Sequence, residues 1–480
     1  MTLWIDVEDL FDYARHLARP SGIQRLSFEL YRALVACPDR DVGFVRHDSP
    51  RGTMRVVAWG EVVALYEGMI AGPSAHDAAT TAAAEAGTLS IPTTRPLGLG
   101  PIRHVISRLP FDLRQPLSQG AHHQIAVMRH FVEAVRAVPS LWRRPVRPVQ
   151  AEPPDGEQIP GEAEPVAWGT DLREVAQPGD TLACFGSPWF HPAYATLVSR
   201  VVGPTGMRFA LLVYDLIPVL RPEFCDRGLV RIFEGFIRRC LPAADIILAI
   251  SDATARDIET WAAREGIALR STPRPIPIGT GFVPAPATAL PEGLVPGGYA
   301  LFVSTIEARK NHLQAFRIWR QMLEEMPRDQ VPTLVFAGRV GWMVADLMQA
   351  IENTDWLDGK LVLVREPDDS TLSALYENCR FTLFTSHYEG WGLPVSESLA
   401  FGKTCIASDR TSVPEAGGPF CLYVDPENTT AAYAVVRRAV EDPNVVPALE
   451  ARIAADYRPT PWTATAEAVL RAIEPATSSP

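Results

Sequence analysis

FTLFTSHYEGWGLPVSESLAFG, residues 381–402, is the stretch whose reading decides the fold. Phe381 to Phe384 are apolar or β-favouring and read as a buried strand. Gly390 and Gly392 mark a tight turn in which no side chain blocks approach to the backbone. Pro394 suits the first turn of a helix, where its missing N–H costs nothing. That helix should run to about Phe401, with Gly402 closing its C-terminus. Two carboxylates, Glu389 and Glu397, flank the strand–turn–helix. A glycine turn that feeds a helix N-terminus is a seat for an anionic group.

The same pattern recurs on either side. Upstream, 299–304, 332–337 and 360–364 read as strands, with helices expected from about Asn311, near 343–353 and over 370–379. A strand at 403–407 follows the opening stretch. The first half carries its own set. It has strands at 3–7, 181–187, 208–214 and 245–250, a helix at 227–241, and another that Ser251 or Asp252 can cap. A further helix starts at Ser21-Gly22 and lines up Ile23, Leu26, Leu30 and Leu34 on one face; taken alone, Ser21-Gly22 reads equally as a plain cap. Near-continuous apolar strands alternating with helices mean parallel sheets covered on both faces. The Pro- and Gly-rich 271–298, with a strand remnant at 275–278, reads as a linker. The expected fold is α/β, with two Rossmann-like, doubly wound domains. The first spans 1–280 with an irregular insert at about 68–175, and the second spans 281–460. A helix and tail, 461–480, are expected to pack back on the first domain.

Composition narrows the function classes. A chain of 480 residues exceeds one core, and 47% hydrophobic with 21% charged residues is globular. A net charge of −11 argues against nucleic acid as partner. Seven cysteines without a C-x-x-C pair read as reduced thiols of a cytosolic protein. The acidic N-terminus is not a secretory signal, and no apolar run reaches the roughly 18 residues that cross a bilayer. The insert departs from this acidic average. Its 102–147 portion has arginines at 103, 108, 114, 129, 136, 143, 144 and 147 against only Asp112 and Glu133, and Ile125, Met128, Phe131, Val132 and Val135 have helical spacing. Such a segment suits an anionic membrane surface, or more plainly an arginine-decorated helix on its own domain.

Three strand ends in the second half carry chemistry, because parallel α/β sheets bind ligands beyond the carboxyl ends of their strands. Arg309 and Lys310 follow the first strand and suit a diphosphate, Arg by bidentate contact and Lys as a point charge. Gly338 and Arg339 follow the second, and Glu389 with the Gly390–Gly392 turn follows the 381–384 strand. Glu397, expected in the first turn of its helix, would be kept ionised by the helix dipole and would accept paired hydroxyls such as those of a ribose. Singly, each residue reads more simply as a cap, a turn acid or a solvated charge; in this order and spacing they read as a site for a nucleotide sugar. The D-x-D string Asp39-Arg40-Asp41 has no strand feeding it and reads as a surface turn, so no metal is expected.

EGWGLPVSE, Glu389 to Glu397, resembles the E-x7-E motif of the family 4 retaining glycosyltransferases of the GT-B fold. STIEARKNH, AGRVGW, DDSTLSALYENC, VYDLIPVLRPEF, ADIILAISDATARDI and SVPEAGG resemble further stretches of that family in order, over roughly residues 1–60 and 180–475. The resemblance implies two domains facing a cleft, and transfer of a hexose from a nucleotide diphosphate sugar with retention at the anomeric carbon. The donor is a co-substrate, and no cofactor is implied. It implies that Arg309 and Lys310 hold the diphosphate, and that Glu397 binds the ribose. Glu389, with the N–H groups of Trp391, Gly392 and Leu393, would face the sugar, and Gly390 and Arg339 would also belong to the donor site. Gly22 would approach the diphosphate from the other domain, and Asp215 would lie near the reacting carbon. The EARKNH element is similar to that of bacterial polysaccharide mannosyltransferases, which makes GDP-mannose the first expected donor and leaves UDP- and dTDP-sugars open; the expected acceptor is a saccharide or lipid-linked saccharide. The family often has a histidine near the position of Asp215, which Tyr214 precedes here, and Ser304 and Ala308 stand for its usual Gly and Pro. A GT-B phosphorylase or sucrose-type synthase is the alternative enzyme, and a non-catalytic GT-B subunit the alternative outside enzymes. The expected place is the cytoplasm, with peripheral contact at the inner face of the membrane through 102–147.

Overall fold

The computed structural model describes residues 1–15, 20–38, 40–71, 169–280 and 288–474. The basic stretch 102–147, Asp39 of the D-x-D string and the tail beyond 474 lie outside the described residues.

Two sheets organise what is described. The first joins β1 (Leu3–Asp6), β2 (Val42–Asp48), β3 (Thr53–Val57), β4 (Thr181–Cys184), β5 (Arg208–Val213), β6 (Ile246–Ala249) and β7 (Arg274–Pro275). Their order is β3-β2-β1-β4-β5-β6-β7, parallel except for the β2–β3 pair. The second joins β8 (Tyr299–Val303), β9 (Thr333–Ala337), β10 (Leu361–Val364), β11 (Phe381–Phe384), β12 (Cys405–Ser408) and β13 (Leu422–Val424) in the all-parallel order β10-β9-β8-β11-β12-β13. In each sheet the order reverses beside its first strand, between β1 and β4 and between β8 and β11. Loops leaving such a pair diverge and open a crevice at the strand ends.

Burial follows from this topology. β4 and β11 are buried at every residue, as strands covered on both faces must be. Along β5, Ala210 and Leu212 enter one apolar layer, while Phe209, Leu211 and Val213 enter the layer on the opposite face. The helix Trp462–Ile473 packs on the helix Gly22–Val35 and adds Ala466, Val469 and Ile473 to the first lobe's core.

The structure corrects several boundaries. β2 and β3 were not evident in the sequence, where charged residues interrupt short apolar runs. Residues 169–175 belong to the first lobe rather than to an insert, since Val56 N donates to Thr170 O at 2.9 Å and Thr53 Oγ1 to Asp171 at 2.7 Å. At the other end the helix Trp59–Ala71 continues past 68. The 275–278 remnant is a two-residue strand, with Ile276 and Ile278 buried in the core beyond it. Asn311 precedes the helix His312–Glu325 in a left-handed conformation, and its side chain donates to Pro426 O at 2.9 Å instead of capping.

Candidate active site

The turn after β8 and the loop after β11 meet at the point where the second sheet's order reverses. His387 N donates to Arg309 O at 2.9 Å, so the two loops are joined backbone to backbone. Arg309 and Lys310 lie in a 3-10 turn, Ala308–Lys310. Both reach Glu389: Arg309 Nη1 stands 2.8 Å from Oε2, and Lys310 Nζ donates to Oε1 at 2.6 Å. Arg309 also pairs with Glu307 at 2.7 Å and donates to Tyr388 O at 2.6 Å. Ser386 Oγ adds a 2.6 Å bond to Glu389 Oε1. The loop itself is pinned, because Glu389 N donates to Thr411 Oγ1 at 3.1 Å and Ser412 Oγ donates to the carbonyls of Glu389 and Trp391 at 3.0 Å.

These groups are largely withdrawn from water, with side-chain exposures of 15% for Arg309, 13% for Lys310 and 9% for Glu389. Burial pushes the Glu389 carboxyl up, but the charges of Arg309 and Lys310 and the hydrogen bonds of Lys310 and Ser386 carry it down to about 2. Burial together with the neighbouring Arg309 lowers the Lys310 ammonium, and Glu389 opposes that shift. The result is an ionised carboxylate that fixes two cations side by side.

Glu397 has a different setting. The helix Leu393–Ala400 has no acid in its first turn, and Glu397 sits one turn further in. Its partner is Tyr376, whose hydroxyl donates to Oε2 at 2.9 Å. Burial raises the Glu397 carboxyl, and the Tyr376 bond and the charge of Arg25 offset only part of that rise. Glu397 thus lies outside the first turn where the dipole acts most strongly, and burial works against its ionisation. Gly392 has φ +112 and opens this helix without a side-chain cap, and Pro394 follows in its first turn.

The first lobe closes over these loops. A Cβ on Gly390 would stand 2.0 Å from Tyr214 O, so only glycine lets the β11 loop touch the end of β5. Asp215 follows, its carboxylate accepting from Ile217 N at 2.9 Å; burial raises its carboxyl against the opposing charge of Arg309. The Trp391 ring packs against the cores of both lobes. Between the lobes lies a cleft of about 710 Å³. The expected catalytic and donor-binding residues line it: Gly22 and Asp215 from the first lobe, and Arg309, Lys310, Arg339, Glu389, Gly390, Trp391, Gly392, Leu393 and Glu397 from the second.

Sequence reading missed Ser386 and Tyr376, which hold the two carboxylates, and the Arg25–Asp369 ion pair across the lobes at 2.8 Å. Tyr376 and Asp369 lie within the DDSTLSALYENC segment, so only their partners were hidden.

An α/β cleft with paired cations at a sheet's reversal point defines a class of anionic-ligand site. Residues 296–456 match the family model "Glycosyl transferases group 1". Two curated relatives are from Escherichia coli. The O-antigen chain mannosyltransferase B is 30% identical over 229 residues, covering 46% of this chain and 58% of the relative. The serotype-specific mannosyltransferase WbdA is 26% identical over 245 residues, 48% of this chain and 29% of the relative. The chain thus spans little more than half of the first and under a third of the second. Among solved structures, TarM aligns with a TM-score of 0.48 at 13% identity, covering 63% of this chain and 57% of TarM. A trehalose-phosphate synthase of Burkholderia vietnamiensis aligns with 0.46 at 14% identity, over 63% and 72% of the two chains.

Proposed function

We propose that the protein is a retaining hexosyltransferase of family 4, transferring mannose from GDP-mannose to a saccharide or lipid-linked saccharide acceptor in surface polysaccharide synthesis. The observation that carries this reading is the buried Arg309–Lys310–Glu389 cluster facing Asp215 across one cleft. The similarity to an O-antigen chain mannosyltransferase and to a serotype-specific mannosyltransferase supports the sugar and the pathway class.

The bond to break joins the sugar C1 to a phosphate oxygen, and the barrier is charge separation into an oxocarbenium-like sugar and an anionic diphosphate. Arg309 and Lys310, held together by Glu389, meet the growing charge without reorganising. The cleft-lining start of the helix Leu393–Ala400 adds backbone N–H groups and the positive end of a dipole. In this reading the two cations take the diphosphate's charge and no metal is required. The departing phosphate oxygen accepts the acceptor hydroxyl's proton as the new C1–O bond forms on the face it leaves, so no protein nucleophile is needed. Glu397 accepts the two ribose hydroxyls. Asp215 faces the sugar from the first lobe, and closure of the lobes excludes water that would hydrolyse the donor.

We place the protein in the cytoplasm, with peripheral contact at the inner face of the membrane. No helix among the described residues is long and apolar enough to cross a membrane. The test is a donor panel of GDP-mannose, UDP-glucose and dTDP-glucose with saccharide acceptors, following nucleotide diphosphate release and the anomeric configuration of the product. GDP release with an α-linked mannosyl product is expected. Turnover that requires only inorganic phosphate would sink the reading.

A further inference from the structure

Arg25 projects from the helix Gly22–Val35 of the first lobe, yet its partner is Asp369 of the second, at 2.8 Å. Both residues line the cleft together with Glu397. Other links between the lobes lie elsewhere, among them the bond from the Tyr388 hydroxyl to Asp257. The Glu415 carboxylate accepts from Asp252 N and Ala253 N at 2.8 Å each, and Trp342 Nε1 donates to Phe224 O at 2.9 Å. These contacts involve no group proposed to touch the donor's nucleoside. The Arg25–Asp369 pair is different: Asp369 opens the helix Asp369–Asn378, which also carries Tyr376, the hydroxyl bound to Glu397.

We infer that Arg25 is a positioning residue for the nucleoside end of the cleft, holding Asp369 across the lobes and so placing the helix whose Tyr376 orients Glu397 toward the donor's ribose hydroxyls. The inference rests on the transferase reading above. The groups that act electrostatically on Glu397 are Tyr376, which is hydrogen-bonded to it, Asp369 from the same helix, and Arg25 from the other lobe. Arg25 is the one cation among them, and it opposes the burial that favours the protonated carboxyl. A protonated Glu397 has lost one acceptor for a diol. Arg25 would therefore act through Asp369 and Glu397, without touching the reacting carbon. Because the pair is about a third exposed at each end, its effect should be modest and salt-sensitive.

The experiment is calorimetric titration of GDP, and separately UDP, into the full chain and into Arg25→Gln, Arg25→Lys, Asp369→Asn and the Arg25→Gln/Asp369→Asn double variant. Arg25→Gln should weaken GDP binding about three- to tenfold near neutral pH, Arg25→Lys should recover part of the loss, and the double variant should lose less than the two singles combined. The wild-type to variant ratio should widen when pH falls to about 5.5, since losing the guanidinium lets Glu397 protonate earlier. A merely structural ion pair would leave that ratio flat. Equal GDP affinity for wild type and Arg25→Gln at both pH values overturns the inference alone. Wild type that binds neither GDP nor UDP overturns the transferase reading beneath it.

Discussion

Glu389 and Glu397 stand on the same strand–turn–helix, yet their surroundings push them in opposite directions. Glu389 is clamped by two cations and a serine hydroxyl, and it stays ionised far below neutral pH. Glu397 has a tyrosine hydroxyl and a more distant arginine, and burial wins there. The difference shows what each carboxylate is built for. A permanently charged Glu389 is a fixed counter-charge that organises Arg309 and Lys310. Glu397 remains partly uncompensated, which suits a group that completes its hydrogen bonding on a ligand.

The most severe way to break this comparison is at the cation end. Lys310→Ala removes one donor aimed at developing phosphate charge and should lower kcat by about 10²- to 10³-fold, with the fold retained. Glu389→Ala should match that loss and also destabilise the protein by about 3–5 kcal/mol, because it leaves Arg309 and Lys310 buried without their shared partner. Steady-state kinetics with chemical denaturation separates the two effects. An active, stable Glu389→Ala would show that the carboxylate does not organise the cations.

Next in size is Gly390→Ala. Its Cβ would meet the Tyr214 carbonyl at 2.0 Å, so the β11 loop must retreat from β5 and carry Glu389 away from Asp215. A displacement of that kind should cost on the order of 10² in kcat. Undiminished turnover would mean that the two lobes need not meet at this point during reaction.

Much of this was legible in the sequence, and the limits have physical causes. The Phe381–Phe384 strand, the Gly392 turn and the Pro394 helix start appear where local rules place them, because glycine and proline act through their own backbone. Arg309, Lys310 and Glu389 were legible as charged residues at strand ends. That all three form one ion cluster was not, since the pairing spans 79 residues and depends on β8 lying beside β11. β2 and β3 were invisible because an edge pair is half-solvated and its charged residues mask the apolar alternation. Glu397's place in its helix was misjudged by one turn, and the burial that opposes its ionisation depends on tertiary packing that local rules do not show.

Glu397→Gln sharpens the comparison more gently. Losing an ionised acceptor for the ribose should raise the donor KM about tenfold while kcat stays within about twofold, the mark of uniform binding. The wild type should show the same asymmetry with pH. As pH falls toward the raised Glu397 value the donor KM climbs, whereas kcat is insensitive to Glu389, which remains charged until about 2. A kcat loss in Glu397→Gln as deep as that of Lys310→Ala would erase the division of labour between the two carboxylates.

The smallest effect is on stability, and its sign is opposite at the two positions. A carboxyl whose folded value is raised binds a proton in the folded chain that the unfolded chain has released. Its ionisation therefore costs stability as pH rises through the window between the unfolded and folded values. Glu389, held down to about 2 from 4.5, does the reverse: it stabilises at neutral pH, and that contribution is lost as pH falls from the unfolded value through the folded one. Without donor, Glu397→Gln should thus be more stable than wild type at about pH 8, and the advantage should fade near pH 4, below the ordinary carboxyl value of 4.5, where the wild-type group is protonated in both states. Denaturant melts at the two pH values measure this directly. A destabilised Glu397→Gln at pH 8 would mean that the ionised carboxylate is already satisfied by Tyr376 and Arg25, and that its uncompensated character is not what the ligand site exploits.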